Sequence, residues 1–129
     1  QITTGYIDRD VYKHNPLTIQ DFMNQKLTER ERNIFQTNLE QLFRDVMNSY
    51  KQLLDLNEFD KGPNHFVILG CDIAPDENLN IKLLEINKGP DLSFKDERDG
   101  QLKYQMIKNA IGAVTTKNYK FINNYTQVL

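Results

Sequence analysis

The sequence predicts an α+β domain in which helices pack on an antiparallel sheet. Three observations carry this prediction. A long amphipathic helix opens at Thr28, a second helical segment starts at Gly100, and two strand-like runs, "HFVILGCDI" and "NIKLLEIN", are joined by the turn-forming "PDEN". At 129 residues the chain has the length of a single domain with one modest core.

The first of these helices is predicted from Thr28 to about Leu56, after a short helix from Thr18. Thr28 and Glu31 have the spacing of a capping box, in which each side chain binds the backbone amide of the other residue. Apolar residues then recur at steps of three and four, so one face of the helix should pack on the sheet. These residues are Phe35, Leu39, Leu42, Phe43, Val46, Met47, Tyr50, Leu53 and Leu54. The helix from Gly100 has its own apolar stripe of Leu102, Met106, Ile107, Ile111 and Val114.

Composition and charge exclude some classes of partner. The formal charge is −2 and 39% of the residues are hydrophobic, so the chain lacks the basic excess that nucleic acids and anionic membranes select. Its apolar runs stay below the roughly 18 residues of a membrane span. We therefore expect no nucleic acid and no membrane as partners. The single cysteine, Cys71, cannot form an internal disulfide, which fits a reducing compartment and a cytoplasmic location.

Three oxygen-bearing side chains lie in the predicted hairpin. If Asp76 and Ile81 flank a four-residue turn, the antiparallel register places Asp72 directly opposite Glu85. Like charges in that position destabilise a hairpin unless something positive lies between them. Asn87 is two residues beyond Glu85 and projects from the same face. The set suits Mg²⁺ or Mn²⁺, whereas no Cys and His pair has a spacing that suits zinc. The pattern leaves a solvated acidic hairpin open as the alternative.

This hairpin resembles the metal-binding hairpin of the tubulin tyrosine ligase family, a branch of the ATP-grasp ligases. The resemblance is carried by "GCD", then by "LLEIN" and "KGP", and it runs from Gly70 to Pro90. It implies the C-terminal lobe of an ATP-grasp-like fold. Residues 1–129 would then form a single domain that is the C-terminal part of a longer ligase domain. The N-terminal lobe would be supplied by sequence before Gln1.

The resemblance also implies a site and an activity. It makes Asp72, Glu85 and Asn87 the ligands of Mg²⁺ (or Mn²⁺) at the phosphates of ATP, with Glu85 as the catalytic residue that touches both ions where two are bound. The activity is ATP-dependent ligation of an amino acid to a protein tail, possible acceptors including tubulin, through an acylphosphate intermediate. The implied partners are therefore ATP, an amino acid, the acceptor tail and the N-terminal lobe. Without that lobe, the isolated chain is expected to be inactive.

The resemblance weakens outside the hairpin. "QITT" at the start is similar to the family's strand motif His-Leu-Thr-Asn, from which Gln1 and Thr4 depart. "KGPDL" replaces the family's small-residue turn before Pro, so Lys88 and Asp91 would alter the rim of the pocket. The alternative function is a non-catalytic ligase-like remnant that serves as a structural or interaction module in a larger assembly. The opposed carboxylates favour the ligase, and the short chain with its altered "QITT" favours the remnant.

Overall fold

The computed structural model describes residues 11, 15–16, 18–53 and 66–116. Its elements are α1 (Ile19–Lys26), α2 (Glu29–Leu53), β1 (Leu69–Pro75), β2 (Ile81–Lys88) and α3 (Glu97–Thr116). The predicted α+β class is confirmed. The segment "QITT", which is similar to the family's strand motif, lies outside the described residues, as does the C-terminal end of the long helix from Leu54 to Leu56. Within the described ranges, every helix is too short or too polar to span a membrane.

Side-chain caps fix where α1 and α2 begin. Thr18 Oγ1 accepts a hydrogen bond from Asp21 N at 2.9 Å, and Asp21 Oδ2 accepts one from Thr18 N at 3.2 Å. At the start of α2, Thr28 N donates to Glu31 Oε2 at 2.8 Å and Glu31 N donates to Thr28 Oγ1 at 3.4 Å. Each box satisfies backbone amides that the first helical turn leaves without partners. The predicted capping box is confirmed, and the 25-residue α2 is the longest of the described helices.

The helix α3 begins at Glu97, before the predicted start at Gly100. The reason is a cap, because Asp96 Oδ1 accepts a hydrogen bond from Asp99 N at 2.7 Å. The apolar stripe expected on this helix is only partly right, since Leu102 is 44% exposed and Ile111 is 47% exposed.

Small and polar residues form the buried positions of α3 instead. Asp99, Gly100 and Ala113 are buried. A Cβ at Gly100 would lie 3.2 Å from Phe94 Cγ, so the Phe94 ring covers the helix at that point. The missing side chain at Gly100 lets the loop before α3 pack directly against the helix.

The described core lies between α1, the first half of α2 and the turn end of the hairpin. Met23, Phe35 and Leu39 are buried, and Phe35, at 2% exposure, is the largest fully buried side chain of the described residues. The rings of Phe22 and Phe35 have centroids 5.5 Å apart and are tilted by 56°. The partly buried side chains packed on this cluster are Phe22, Leu27, Phe43, Ile73, Leu79 and Ile81. The predicted packing of α2 on the strand pair is therefore confirmed for its first half.

The two strands pair antiparallel, with Asp72 opposite Glu85 as predicted. Nearer the turn, however, Ile81 lies opposite Pro75, whereas the sequence had suggested Asp76. Asp76 belongs to the turn because its Oδ1 accepts hydrogen bonds from Asn78 N and Asn80 N, both at 2.9 Å. Such bonds from an Asp to backbone amides further along are a common way to close a turn.

The turn is also attached to α2. Leu79 has a positive φ of 62°, and its carbonyl accepts a hydrogen bond from Asn38 Nδ2 at 2.8 Å. This bond joins residues 41 positions apart in the sequence. A two-stranded hairpin is marginally stable in water unless it packs on something else, so α2 supports the hairpin at this end.

We expect Thr28→Ala to destabilise the chain by about 1 kcal/mol at pH 7, the usual cost of losing an N-cap. Two hydrogen bonds from Thr28 lower the pKa of Glu31 from its usual 4.5. The bond from the Thr28 side chain has the larger effect, and the bond from its backbone adds to it. A carboxylate with a lowered pKa contributes stability above its unfolded pKa and loses it as the pH falls through the folded value. The difference between wild type and variant should therefore shrink well below pH 4.5.

The measurement is thermal unfolding across pH, with Thr37→Ala as the matched control on the same helix. Thr37 Oγ1 donates to Asn33 O at 2.8 Å on the exposed face, so its loss should change stability by less than about 0.5 kcal/mol. Equal losses from the two substitutions, or a Thr28→Ala effect that does not depend on pH, would contradict the capping box.

Candidate functional site

The structure places the three predicted site residues on one face of the hairpin. Asp72 on β1 is directly opposite Glu85 on β2, and Asn87 is opposite Gly70. Residues directly opposite each other in an antiparallel pair project to the same side, as do residues two apart on one strand. Asp72, Glu85 and Asn87 are all exposed. Two carboxylates and one amide oxygen therefore face solvent together.

A β-bulge in β2 makes this arrangement possible. The register shifts between Asp72 and Ile73, which pair with Glu85 and Leu83, so the intervening Leu84 has no partner in the described ladder. Strict alternation along β2 would place Leu83 and Glu85 on the same face. Because of the extra residue, Leu83 and Glu85 project to opposite faces of the sheet. Leu83 is consequently half-buried on the core side of the sheet, whereas Glu85 is exposed on the side of Asp72.

The bulge residue itself is exposed beside the acidic pair. Leu84 is 66% exposed, the largest exposed fraction among the large hydrophobic side chains that the structure describes. A single register along the whole strand, as predicted from the sequence, leaves no place for this bulge. The available signal was the doubled leucine in "IKLLEIN", where apolar residues stop alternating with polar ones and change phase.

The charged residues around the face have separate roles. Lys82 lies opposite Ala74 and shares the face of Asp72, one step nearer the turn, where it is exposed. Asp91, which stands in the loop after β2, forms an ion pair with Lys95 at 2.6 Å. Hydrogen bonds from Lys95 and from Ser93 hold the pKa of Asp91 well below its usual value. Asp91 therefore interacts with residues of its own loop.

Cys71 lies on the opposite side of β1 from Asp72. It is half-buried, and burial raises the pKa of its thiol, with a further increase from the nearby Asp72 carboxylate. A cysteine with a raised pKa is a weaker nucleophile because it stays protonated at neutral pH. Cys71 therefore packs as a small hydrophobic residue.

The chemistry of the donor set fits a hard divalent cation that arrives with other oxygen ligands. In the described part of the chain, no group of three or more His, Cys, Asp or Glu side chains could hold a metal ion. The set of Asp72, Glu85 and Asn87 has only two carboxylates, so it is not an all-protein cage. Mg²⁺ is commonly bound in this way, by one or two carboxylates together with the phosphates of a substrate. The residues therefore fit Mg²⁺ or Mn²⁺ and leave positions for phosphate oxygens.

The structure thus combines an α+β fold with an exposed set of oxygen donors on one face of a hairpin. The family model described as the tubulin-tyrosine ligase family matches residues 4–121, and the chain belongs to that family.

A curated relative is similar over part of the chain. The probable tubulin polyglutamylase ttll-9 of Caenorhabditis elegans is 38% identical over 66 residues, which cover 50% of this chain and 16% of the relative. The matching segment thus spans less than a fifth of the length of that relative. No solved structure shows a significant match to the chain.

The opposed carboxylates give a prediction for the protein without metal. We expect Glu85→Gln to raise its stability by a few tenths of a kcal/mol, because the substitution removes the like-charge pair across the strands. Added salt should reduce the gain, since it screens exposed charges. Thermal melting at low and high ionic strength measures both effects.

The matched control is Glu77→Gln, in the exposed turn of the same hairpin and outside the paired strands. It should leave the melting temperature nearly unchanged. If Glu85→Gln lowered the stability of the metal-free protein, the two carboxylates would not repel each other as the register implies.

Proposed function

We propose that this chain is the metal-binding part of an ATP-dependent ligase that joins an amino acid to a protein tail. The observation that carries the proposal is the opposed pair of Asp72 and Glu85, with Asn87 on the same exposed face, in a member of the tubulin-tyrosine ligase family. The name of the Caenorhabditis elegans relative supports a tubulin tail as the acceptor and glutamate as the amino acid.

Asp72, Glu85 and Asn87 would hold Mg²⁺, which when bound neutralises the phosphate charge of ATP. Asp72 and Glu85 carry two negative charges across the ladder, and a dication between them would turn a repulsive pair into an attractive site. Asn87 adds a neutral oxygen, so the set matches the charge of one Mg²⁺ without excess. Where two ions bind, Glu85, the middle residue of the set, would contact both.

The reaction that fits the family has two steps. A carboxylate oxygen attacks the γ-phosphorus of ATP, the bond from that phosphorus to the bridging oxygen breaks, and an acylphosphate and ADP form. An amine nitrogen then attacks the acyl carbon, the bond to phosphate breaks, and the amine loses a proton as the amide forms. Phosphoryl transfer depends mainly on positioning and charge stabilisation. The role of this chain would therefore be to position Asp72, Glu85 and Asn87, which hold the metal that offsets the phosphate charge.

The open geometry of the face supports a nucleotide site that is completed by another lobe. All three donor residues are exposed, so they do not surround a nucleotide by themselves. An isolated hairpin of this kind should bind Mg²⁺ weakly and ATP barely. Tight nucleotide binding and turnover would require the N-terminal lobe that the family resemblance implies.

The decisive variant is Glu85→Gln in the full-length protein that contains this sequence. It keeps the side-chain volume and one oxygen donor but removes the charge that faces Asp72. We expect ATP turnover and incorporation of the amino acid to fall by a factor of at least about 100, the scale on which lost electrostatic stabilisation acts. Mg²⁺ should raise the melting temperature of wild type with ATP present but not that of the variant.

Glu77→Gln serves as the matched control, because it makes the same chemical change in the turn of the same hairpin. Its turnover should equal that of wild type. Turnover that survived Glu85→Gln would refute the metal site proposed here. A full-length wild type that folds normally but binds no nucleotide would instead favour the non-catalytic module.

A further inference from the structure

Gly70 and Pro90 meet at the end of the hairpin that is farther from the turn. Gly70 lies directly opposite Asn87 in the ladder. A Cβ at position 70 would be 3.0 Å from Pro90 Cβ and 3.8 Å from Asn87 Cβ. Carbon atoms normally pack at about 3.5–4.0 Å, so the first of these contacts would be too close. The missing side chain at Gly70 is what lets Pro90 lie against β1 beside Asn87.

The backbone after β2 is built for this contact. Gly89 has a positive φ of 75°, a conformation that glycine adopts without steric cost. The chain therefore turns immediately after Lys88 and brings the next residue back over the neighbouring strand. That residue is Pro90, whose ring restricts its own backbone, so the turn is stiff.

The far end of the same loop is held by α3. Lys103 Nζ donates to Ser93 O at 2.8 Å, and Lys95 N donates to Asp99 Oδ2 at 3.1 Å. Asp99 is only 7% exposed and forms an ion pair with Lys103 at 2.9 Å. The loop is thus fixed at Pro90 by β1 and at residues 93–95 by α3.

We infer that Gly70 and Pro90 are positioning residues that set the place of Asn87 in the metal site. This inference rests on the proposed function. A Cβ at position 70 would displace Pro90 by a few tenths of an ångström, and the loop has little room to take up that shift because α3 holds its other end. The displacement would instead pass back through Gly89 to Asn87. Groups that orient a ligand from outside the coordination sphere commonly affect metal affinity by 10–100-fold.

A double-mutant cycle tests the inference, with the Mn²⁺ affinity of the nucleotide-free, full-length protein as the readout. We expect Gly70→Ala to weaken Mn²⁺ binding by about tenfold or more. In the Pro90→Gly background the same substitution should cost less than about threefold, because residue 90 then offers no Cβ or ring to meet. Pro90→Gly by itself should also weaken Mn²⁺ binding, since the contact is lost. The Mn²⁺ EPR spectrum, recorded in parallel, should change with each loss of affinity.

Gly112→Ala is the matched control, because a Cβ at this helical glycine would have nothing within 4 Å. It should leave Mn²⁺ affinity unchanged. If Gly70→Ala reduced Mn²⁺ affinity equally in the two backgrounds, the inference would be wrong. The proposed function would still stand, provided that wild type bound the metal. If Gly70→Ala did not fold, Pro90→Gly would decide, and an unchanged affinity would overturn the inference. If wild type bound Mn²⁺ only with a non-hydrolysable ATP analogue, the cycle would be measured with the analogue present. A wild type that bound Mn²⁺ under neither condition would refute both proposals.

Discussion

The bulge at Leu84 is the constraint that lets the hairpin both pack on the core and expose its two opposed carboxylates. On the turn side of the bulge, Ile81 and Leu83 belong to the face that packs toward the core; beyond it, Glu85 and Asn87 belong to the exposed face. Without the extra residue, burying Ile81 would draw Glu85 into the same apolar interface. Burying an unpaired carboxylate costs far more than exposing one leucine. A bulge therefore lets one short strand contribute both to the core and to an exposed acidic face.

The core contacts and the acidic pair are also separated along the hairpin. Core contacts through Ile73, Leu79 and Ile81 and the hydrogen bond from Asn38 lie at the turn end, whereas the opposed carboxylates lie toward the other end. The helix α2 can therefore offset the like-charge repulsion without contacting the charges. This separation leaves the acidic face open, since the apolar packing that stabilises the strands approaches from the opposite side of the sheet.

Much of this arrangement could be predicted from the sequence, and the limits have physical causes. The capping box at Thr28 and the apolar period of α2 are local signals, and each one predicts its structure directly. The Asp72–Glu85 pairing was predicted correctly, although from a register that was one residue off at the turn. Local patterns do not record where a strand changes phase or which glycine is approached by a distant proline. Those features depend on tertiary packing.

The course of the loop after β2 shows how such tertiary features complete the site. Asn87 is the last of the three donors before the strand ends, and a terminal strand residue loses order easily unless the following chain is held. Here the following chain is held at Gly70 on one side and, on the other, at the buried Asp99, which forms an ion pair with Lys103. A neutral amide has only weak attraction for a cation compared with a carboxylate, so its contribution depends on being oriented beforehand. In the proposed site, the two carboxylates would attract Mg²⁺ from any nearby position, whereas the contribution of Asn87 would depend on the structure around it.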